Sequence, residues 1–284
     1  LKEIILDAAD LKIEKCSLTP LSFSRKQESR LTWIPDRVRN DETISFKLDQ
    51  KNEKLIILLT EELKPGKYSL RIEFEGILND KLAGFYRSRY VISGKEKYLA
   101  TTQFESADAR RAFPCIDHPS YKATFEASLI IDKNLTAISN ALAKKTKDLD
   151  RHANIVSAEA VANIAWQGDK KDKNKKDKKI VVFETMPLMS TYLLYLGVGE
   201  FEFLEDKYKN IQLRVVTTPG KKQYGKFALY CAKKSLEYFE KYFNYPYPLK
   251  KLDLIAVPEF ATGAMENWGA ITFRENVLLY YPDK

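Results

Sequence analysis

Pro258-Glu259-Phe260-Ala261-Thr262-Gly263-Ala264-Met265-Glu266-Asn267-Trp268-Gly269-Ala270 is the stretch on which the reading of this chain turns. The Val/Ile/Leu-rich run Leu252 to Val257 precedes it and reads as a strand; Ile271 to Phe273 reads as extended after it. Gly263 and Ala264 carry almost no side chain, so the backbone there is open to a ligand. Glu266, flanked by Met265 and Trp268, reads as a carboxylate that is costly to dehydrate unless a cation is brought to it. A buried turn with an internally satisfied Glu is the competing reading of the same residues.

A second informative stretch lies upstream. Gly84-Phe85-Tyr86-Arg87-Ser88 leads to Thr101-Thr102-Gln103-Phe104-Glu105, then to Asp108-Ala109-Arg110-Arg111-Ala112-Phe113-Pro114-Cys115-Ile116-Asp117-His118-Pro119 and Lys122-Ala123-Thr124-Phe125. Gln103 and Glu105 are two apart, which on a strand places both side chains on one face. An amide and a carboxylate pointing together suit an ammonium group; an exposed strand edge is the other reading.

These motifs, in this order and spacing, resemble the zinc-dependent aminopeptidase N family of gluzincins. The resemblance runs from about residue 84 to 281, and Gly263-Ala264-Met265-Glu266-Asn267 matches the family's exopeptidase signature. The resemblance implies that Glu266, Glu105 and Gln103 hold the free α-amine of a peptide. It implies that Gly263 and Ala264 offer backbone hydrogen bonds to the substrate, that the first side chain packs near Met265, and that Asn267 completes the signature. One departure is His118, where the family usually carries an acidic residue. A second is decisive for chemistry: the family's H-E-x-x-H zinc motif is nowhere in the sequence. Zn2+ is therefore expected of the complete protein, with its ligands outside this chain, and no catalytic or metal-binding residue is assigned here.

Composition narrows the alternatives. The chain has 284 residues, 44% hydrophobic and 12% aromatic, enough for a sizeable core in one large or two smaller domains. No run of eighteen apolar residues predicts a membrane span, and Leu1 to Asp10 lacks a signal-peptide pattern. Three widely spaced cysteines, Cys16, Cys115 and Cys231, form no Cys-x-x-Cys pair and read as buried free thiols of a reducing, cytoplasmic compartment. His118 and His152 have no ligand spacing and read as surface or turn residues. Asp169 to Lys179 holds seven lysines and three aspartates, a local surplus equal to half of the net charge of +8. It reads as a solvated hairpin tip. A nucleic-acid site would want a wider basic patch with interleaved aromatics, and none is present.

Alternation in Leu11 to Glu14, Thr43 to Leu48 and Tyr68 to Phe74, with the Pro65-Gly66 turn, predicts antiparallel strands with one face wet. Strands are also expected at Phe125 to Ile131, Ile155 to Trp166, Ile180 to Glu184, Tyr192 to Val198 and Ile211 to Val216. Thr218-Pro219-Gly220 is expected to open a helix. Tyr224, Phe227, Ala228, Cys231, Tyr238, Phe239 and Tyr242 form its packing stripe, and Asn244 to Pro248 ends it. The fold class is thus mainly β: an N-terminal antiparallel β saddle or sandwich over residues 1–199, then the first α+β part of a thermolysin-like catalytic domain over 200–284.

The functional expectation is the N-terminal part of a zinc metallo-aminopeptidase, inactive alone. Its partners would be peptides with a free N-terminus and the rest of the catalytic domain beyond Lys284. The alternative is a natural, non-catalytic peptide- or protein-binding β module lacking zinc. A polyanion-binding role for the lysine run stands third.

Overall fold

The computed structural model describes residues 1–21, 43–149, 161–163 and 177–282. The lysine-rich segment, apart from residues 177–179, lies outside the described residues, as does His152. The chain is mainly β, and its contacts divide it into two units.

The first unit comprises Leu1–Ile77 and Ala107–His118. Strands β1 (Glu3–Asp7), β4 (Lys54–Leu58) and β3 (Phe46–Asp49) form one antiparallel sheet, and β2 (Leu11–Pro20) pairs with β5 (Tyr68–Gly76). The side-chain period of two in β5 gives alternating half-buried and exposed positions, as a sheet with one wet face requires. Ala8, Ile13, Cys16, Leu55 and Ile57 form the core. A charged network ties Ala107–His118 in: Arg110 donates to Asp117 at 3.1 Å and Glu53 at 3.2 Å, and Arg111 to Glu53 at 2.9 Å and Asp10 at 2.7 Å.

The second unit comprises Leu78–Ser106 and Pro119–Lys284. Strand β6 (Gly84–Ile92) forms a hairpin with β7 (Lys95–Gln103), and β15 (Leu196–Gly199) and β10 (Thr136–Ser139) extend that sheet in the order β10-β15-β7-β6. A pair is made by β8 (Lys122–Phe125) and β14 (Met186–Ser190). Strands β9 (Ser128–Asp132), β11 (Ala143–Leu149), β12 (Val161–Asn163) and β13 (Lys178–Phe183) form a sheet in the order β11-β13-β9-β12. The last sheet, in the order β16-β17-β18-β20-β19, contains β16 (Glu202–Tyr208), β17 (Ile211–Thr217), β18 (Lys251–Val257), β19 (Ala264–Met265) and β20 (Ala270–Arg274). Helix α1 (Lys226–Phe243) connects the parallel strands β17 and β18, as a parallel crossover must. A short α2 (Glu275–Leu278) follows β20. The boundary expected near Gly199 falls between β15 and β16, inside the second unit.

Several local expectations are corrected. Phe125 to Ile131 is not one strand: β8 and β9 pair with different partners, β14 and β13. Tyr192 to Val198 opens with a 3-10 turn at Thr191–Leu193, and the Asn140 side chain holds its C-terminal end, donating to Leu193 O and accepting from Tyr195 N–H. Thr218-Pro219-Gly220 forms a turn, with Gly220 at φ +85°; α1 starts after a 3-10 turn at Lys222–Gly225 and has no side-chain cap. Asn244 ends it in the left-handed conformation.

Of the stripe expected on α1, Ala228 and Tyr224 pack against the sheet, but most of its aromatic residues do not. Ala228, Leu229, Ala232 and Leu236 meet Leu213, Val215, Leu252, Leu254 and Ala256 of the sheet. Phe227, Tyr238, Phe239 and Tyr242 are exposed. At 100° per residue Phe227, Tyr238 and Tyr242 fall on a different stripe from Ala228, Leu229, Ala232 and Leu236, whereas Phe239 shares the aliphatic arc yet is exposed. Cys16 is buried as expected, whereas Cys115 and Cys231 are half-buried; all three are free.

Candidate functional site

Strand β18 is central and buried along its whole length. Alternation turns Leu252, Leu254 and Ala256 toward α1, and Lys251, Asp253, Ile255 and Val257 toward the other face. The chain then crosses from β18 to the parallel strand β20 through residues 258–269, the stretch that opened the sequence reading.

Both ends of this connection are fixed. At its start, Glu259 is bonded at four points to β6. Its N–H donates to Ser88 Oγ at 2.9 Å, and its carbonyl accepts from the Tyr86 hydroxyl at 2.9 Å. Its carboxylate accepts from the Arg89 N–H at 2.9 Å and Arg89 Nε at 3.3 Å. Burial pushes the Tyr86 hydroxyl well above the ordinary tyrosine pKa, so it remains a donor. Arg274 gathers the next carbonyls: its Nε donates to Phe260 O at 3.1 Å, its guanidinium to Ala261 O at 2.6 Å, and its backbone N–H to Gly263 O at 2.9 Å.

At the far end, Asn140 Nδ2 donates to Trp268 O at 2.9 Å. Gly269 O accepts from Lys251 Nζ at 2.6 Å and from Asp253 N–H at 3.1 Å. Gly269 has φ +69°, and a Cβ there would lie 2.4 Å from Asn140 O, so only glycine fits. Beneath it sits a buried charge cluster: Asp253 accepts a two-pronged bond from Arg214 at 2.7 and 2.6 Å and a third from Lys251 at 2.7 Å. Burial holds the Lys251 ammonium below the ordinary lysine value, against the pull of Asp253. Burial alone would raise Asp253, but Lys251 and Arg214 outweigh it and hold the carboxyl below its usual range.

Between these anchors, Met265 and Asn267 are buried and Glu266 is exposed. Met265 pairs with Thr272, and Asn267 Nδ2 reaches Thr272 Oγ1 at 3.2 Å. The extended backbone turns alternate side chains outward, so Glu266 projects away. The exposure of Glu266 contradicts the competing reading of a buried, internally satisfied Glu. Strand β19 is an edge strand. Because Gly263 O bonds β20, antiparallel alternation turns the N–H and C=O of Ala264 toward the free edge, where Thr262 Oγ1 donates to that C=O at 3.2 Å. A Cβ on Gly263 would meet nothing within 4 Å.

The other predicted residues sit at the end of β7. Gln103 is the last residue of that strand and is 5% exposed, and its Oε1 is buried with no donor among the described residues. Gln103 pairs with Gly84, two positions from the pair Tyr86 and Thr101, so it shares the sheet face from which Tyr86 reaches Glu259. The expectation that Gln103 and Glu105 share a strand face is corrected: β7 ends at Gln103, Phe104 is fully buried, and Glu105 lies in the following turn, exposed. Neither Glu105 nor Glu266 forms an ion pair among the described residues. All seven predicted residues belong to the second unit.

Sequence reasoning missed Tyr86, Ser88, Asn140, Lys251 and Asp253. One signal was available: Lys251 and Asp253 interrupt an otherwise apolar strand, two apart and hence on one face. Asn140 acts through side-chain bonds to residues distant in sequence and left none.

Comparison with known proteins fits this arrangement. The peptidase M1 N-terminal domain family matches residues 1–160. The chain belongs to peptidase family M1. The peptidase family M1 domain itself matches residues 227–284 of this M1 chain. Aminopeptidase M1 of Arabidopsis thaliana is 40% identical over 98% of this chain and 27% of its own length. Puromycin-sensitive aminopeptidase of Caenorhabditis elegans is 42% identical over 82% of the chain and 22% of its own length. Probable aminopeptidase 2 of Sulfurisphaera tokodaii is 46% identical over 76% of the chain and 24% of its own length. The chain thus spans about a quarter of the curated M1 relatives it matches. Among the described residues no group of three or more His, Cys, Asp or Glu could hold a metal ion. No described helix is long and apolar enough to cross a membrane.

Proposed function

We propose that this chain supplies the subsite that captures the free α-amine of a peptide in an M1 aminopeptidase. Zn2+ is then the cofactor of the complete protein, bound by residues outside this chain. The observation that carries the reading is the buried acceptor of Gln103, whose Oε1 has no donor among the described residues. Glu105 and Glu266 are exposed carboxylates that form no ion pair among the described residues. In this reading one ammonium group meets all three. Arg274, the nearest cation along the chain, commits its guanidinium to the carbonyls of Phe260 and Ala261.

In this reading the peptide enters amine first, with Glu266 and Glu105 neutralising the charge and Gln103 accepting one N–H. The open edge of β19 at Ala264 takes the substrate main chain as an added strand would. Met265 and Asn267, both buried, hold that edge in register. Fixing the amine fixes which peptide bond reaches the reacting centre, so cleavage stops after one residue. Three half-buried or buried free thiols suit a reducing, cytoplasmic setting.

The test uses the complete protein. Glu266→Ala is expected to lower kcat/KM for free-amine peptides by at least about tenfold, with little change for N-acetylated analogues. A variant that kept the parent's preference for the free amine would overturn the assignment.

A further inference from the structure

Lys251 is 1% exposed, and its ammonium has two partners, Asp253 Oδ2 at 2.7 Å and Gly269 O at 2.6 Å. Asp253 does not need it. The fork of Arg214 already engages both carboxylate oxygens, and that pair is neutral by itself. Glu205 adds negative charge from the exposed side of Arg214, outside the buried group. Lys251 therefore places a second cation, itself buried, beside a buried carboxylate that the half-buried Arg214 already balances. Taking a charge out of water is costly, and without the lysine Asp253 keeps its Arg214 partner and Gly269 O keeps the Asp253 N–H. The ion pair alone does not require a lysine here.

What the lysine adds is its second bond. Gly269 is the last residue of the connection that presents Glu266, and its left-handed backbone turns the carbonyl down toward β18, where Lys251 and the Asp253 N–H meet it. The turn above is closed by Ala270 N–H to Asn267 O at 3.0 Å and by Asn140 to Trp268 O at 2.9 Å. The Glu266 side chain makes no hydrogen bond or ion pair among the described residues. Its placement comes from Met265 and Asn267 on either side, and that frame rests on Gly269.

We propose that Lys251 is a positioning residue for substrate-amine capture: its buried ammonium pins the Gly269 carbonyl and so sets where Glu266 meets the peptide. The inference rests on the amine-capture reading above. It assigns no chemistry to Lys251, which touches neither substrate nor reacting atoms.

A double-mutant cycle in the complete protein tests it. Lys251→Met keeps the apolar stem and leaves Arg214 paired with Asp253. Expected is a rise in KM for free-amine peptides of about tenfold, a smaller change in kcat, and an unfolding midpoint close to the parent's. In a Glu266→Ala background the same substitution should leave KM almost unchanged, because the residue it acts through is gone. Lys251→Arg, which keeps the charge, should recover part of the loss. The same cycle run with Lys251→Arg decides the matter if Lys251→Met does not accumulate as folded protein. Equal KM effects in both backgrounds, or none in a folded variant, would overturn the role of Lys251 while leaving the amine site intact. If Glu266→Ala alone leaves kcat/KM and the preference for the free amine unchanged, the amine-capture reading fails and this inference falls with it.

Discussion

The hydroxyl of Tyr86 donates to the backbone carbonyl of Glu259 over 2.9 Å, joining residues 173 positions apart in the chain. Tyr86 is fully buried, and this bond, with Ser88 and Arg89 beside it, fixes where the connection between β18 and β20 begins. Tyr86→Phe removes the donor and keeps the ring. The expected cost is about 1–3 kcal/mol for a carbonyl left without its partner, read by chemical unfolding of the complete protein. Unchanged stability would show that water replaces the hydroxyl freely.

Gln103 offers the opposite balance. Its Oε1 is buried without a donor among the described residues, which costs free energy. Gln103→Leu should therefore raise stability by up to about 1–3 kcal/mol while raising KM for free-amine peptides. A gain in binding affinity on making this change would remove Gln103 from the site.

Gly269→Ala confronts both a left-handed φ and a Cβ 2.4 Å from Asn140 O. Strained backbone of this kind costs on the order of 1–3 kcal/mol before the clash is counted. The melting temperature of the complete protein should fall, and amine capture should weaken with it. Gly263→Ala is the control: the added methyl meets nothing within 4 Å, so its structural cost should be small.

Acid stability of the first unit depends on Asp7. Burial would raise its carboxyl, but Lys54, the Asp117 N–H and Arg110 outweigh it and hold the pKa below the ordinary 3.8. A depressed folded value means that the carboxylate's stabilisation is complete above 3.8 and lost as pH falls through the lower folded value. Asp7→Asn should therefore be less stable than the parent at neutral pH, and the gap should close below about pH 4. A gap constant from neutral pH to pH 2 would mean that the charge of Asp7 contributes nothing.

Strand positions were largely legible because period-two alternation is local: Tyr68 to Phe74 and Ile211 to Val216 both lie within observed strands. Helix α1 was legible as a helix but not in its orientation. Its periodicity admits an aliphatic and an aromatic stripe, and the sheet it meets selects Leu229 and Leu236 over Tyr238 and Tyr242. Glu105 was misplaced for a related reason. Strand length depends on where the pairing partner ends, and β6 begins at Gly84, opposite Gln103.

The sequence by itself determined membership of the M1 family and the mainly β character, because motif order and side-chain alternation are written along the chain. Only the tertiary structure decided that Glu266 projects outward unpaired, that Gln103 keeps a buried acceptor without a donor, and that Tyr86, Asn140 and Lys251 hold the ends of the connection. The reason is that burial and hydrogen-bond satisfaction are properties of pairs. The partners of Glu259 and Trp268 lie more than a hundred residues away, where no local pattern reports them.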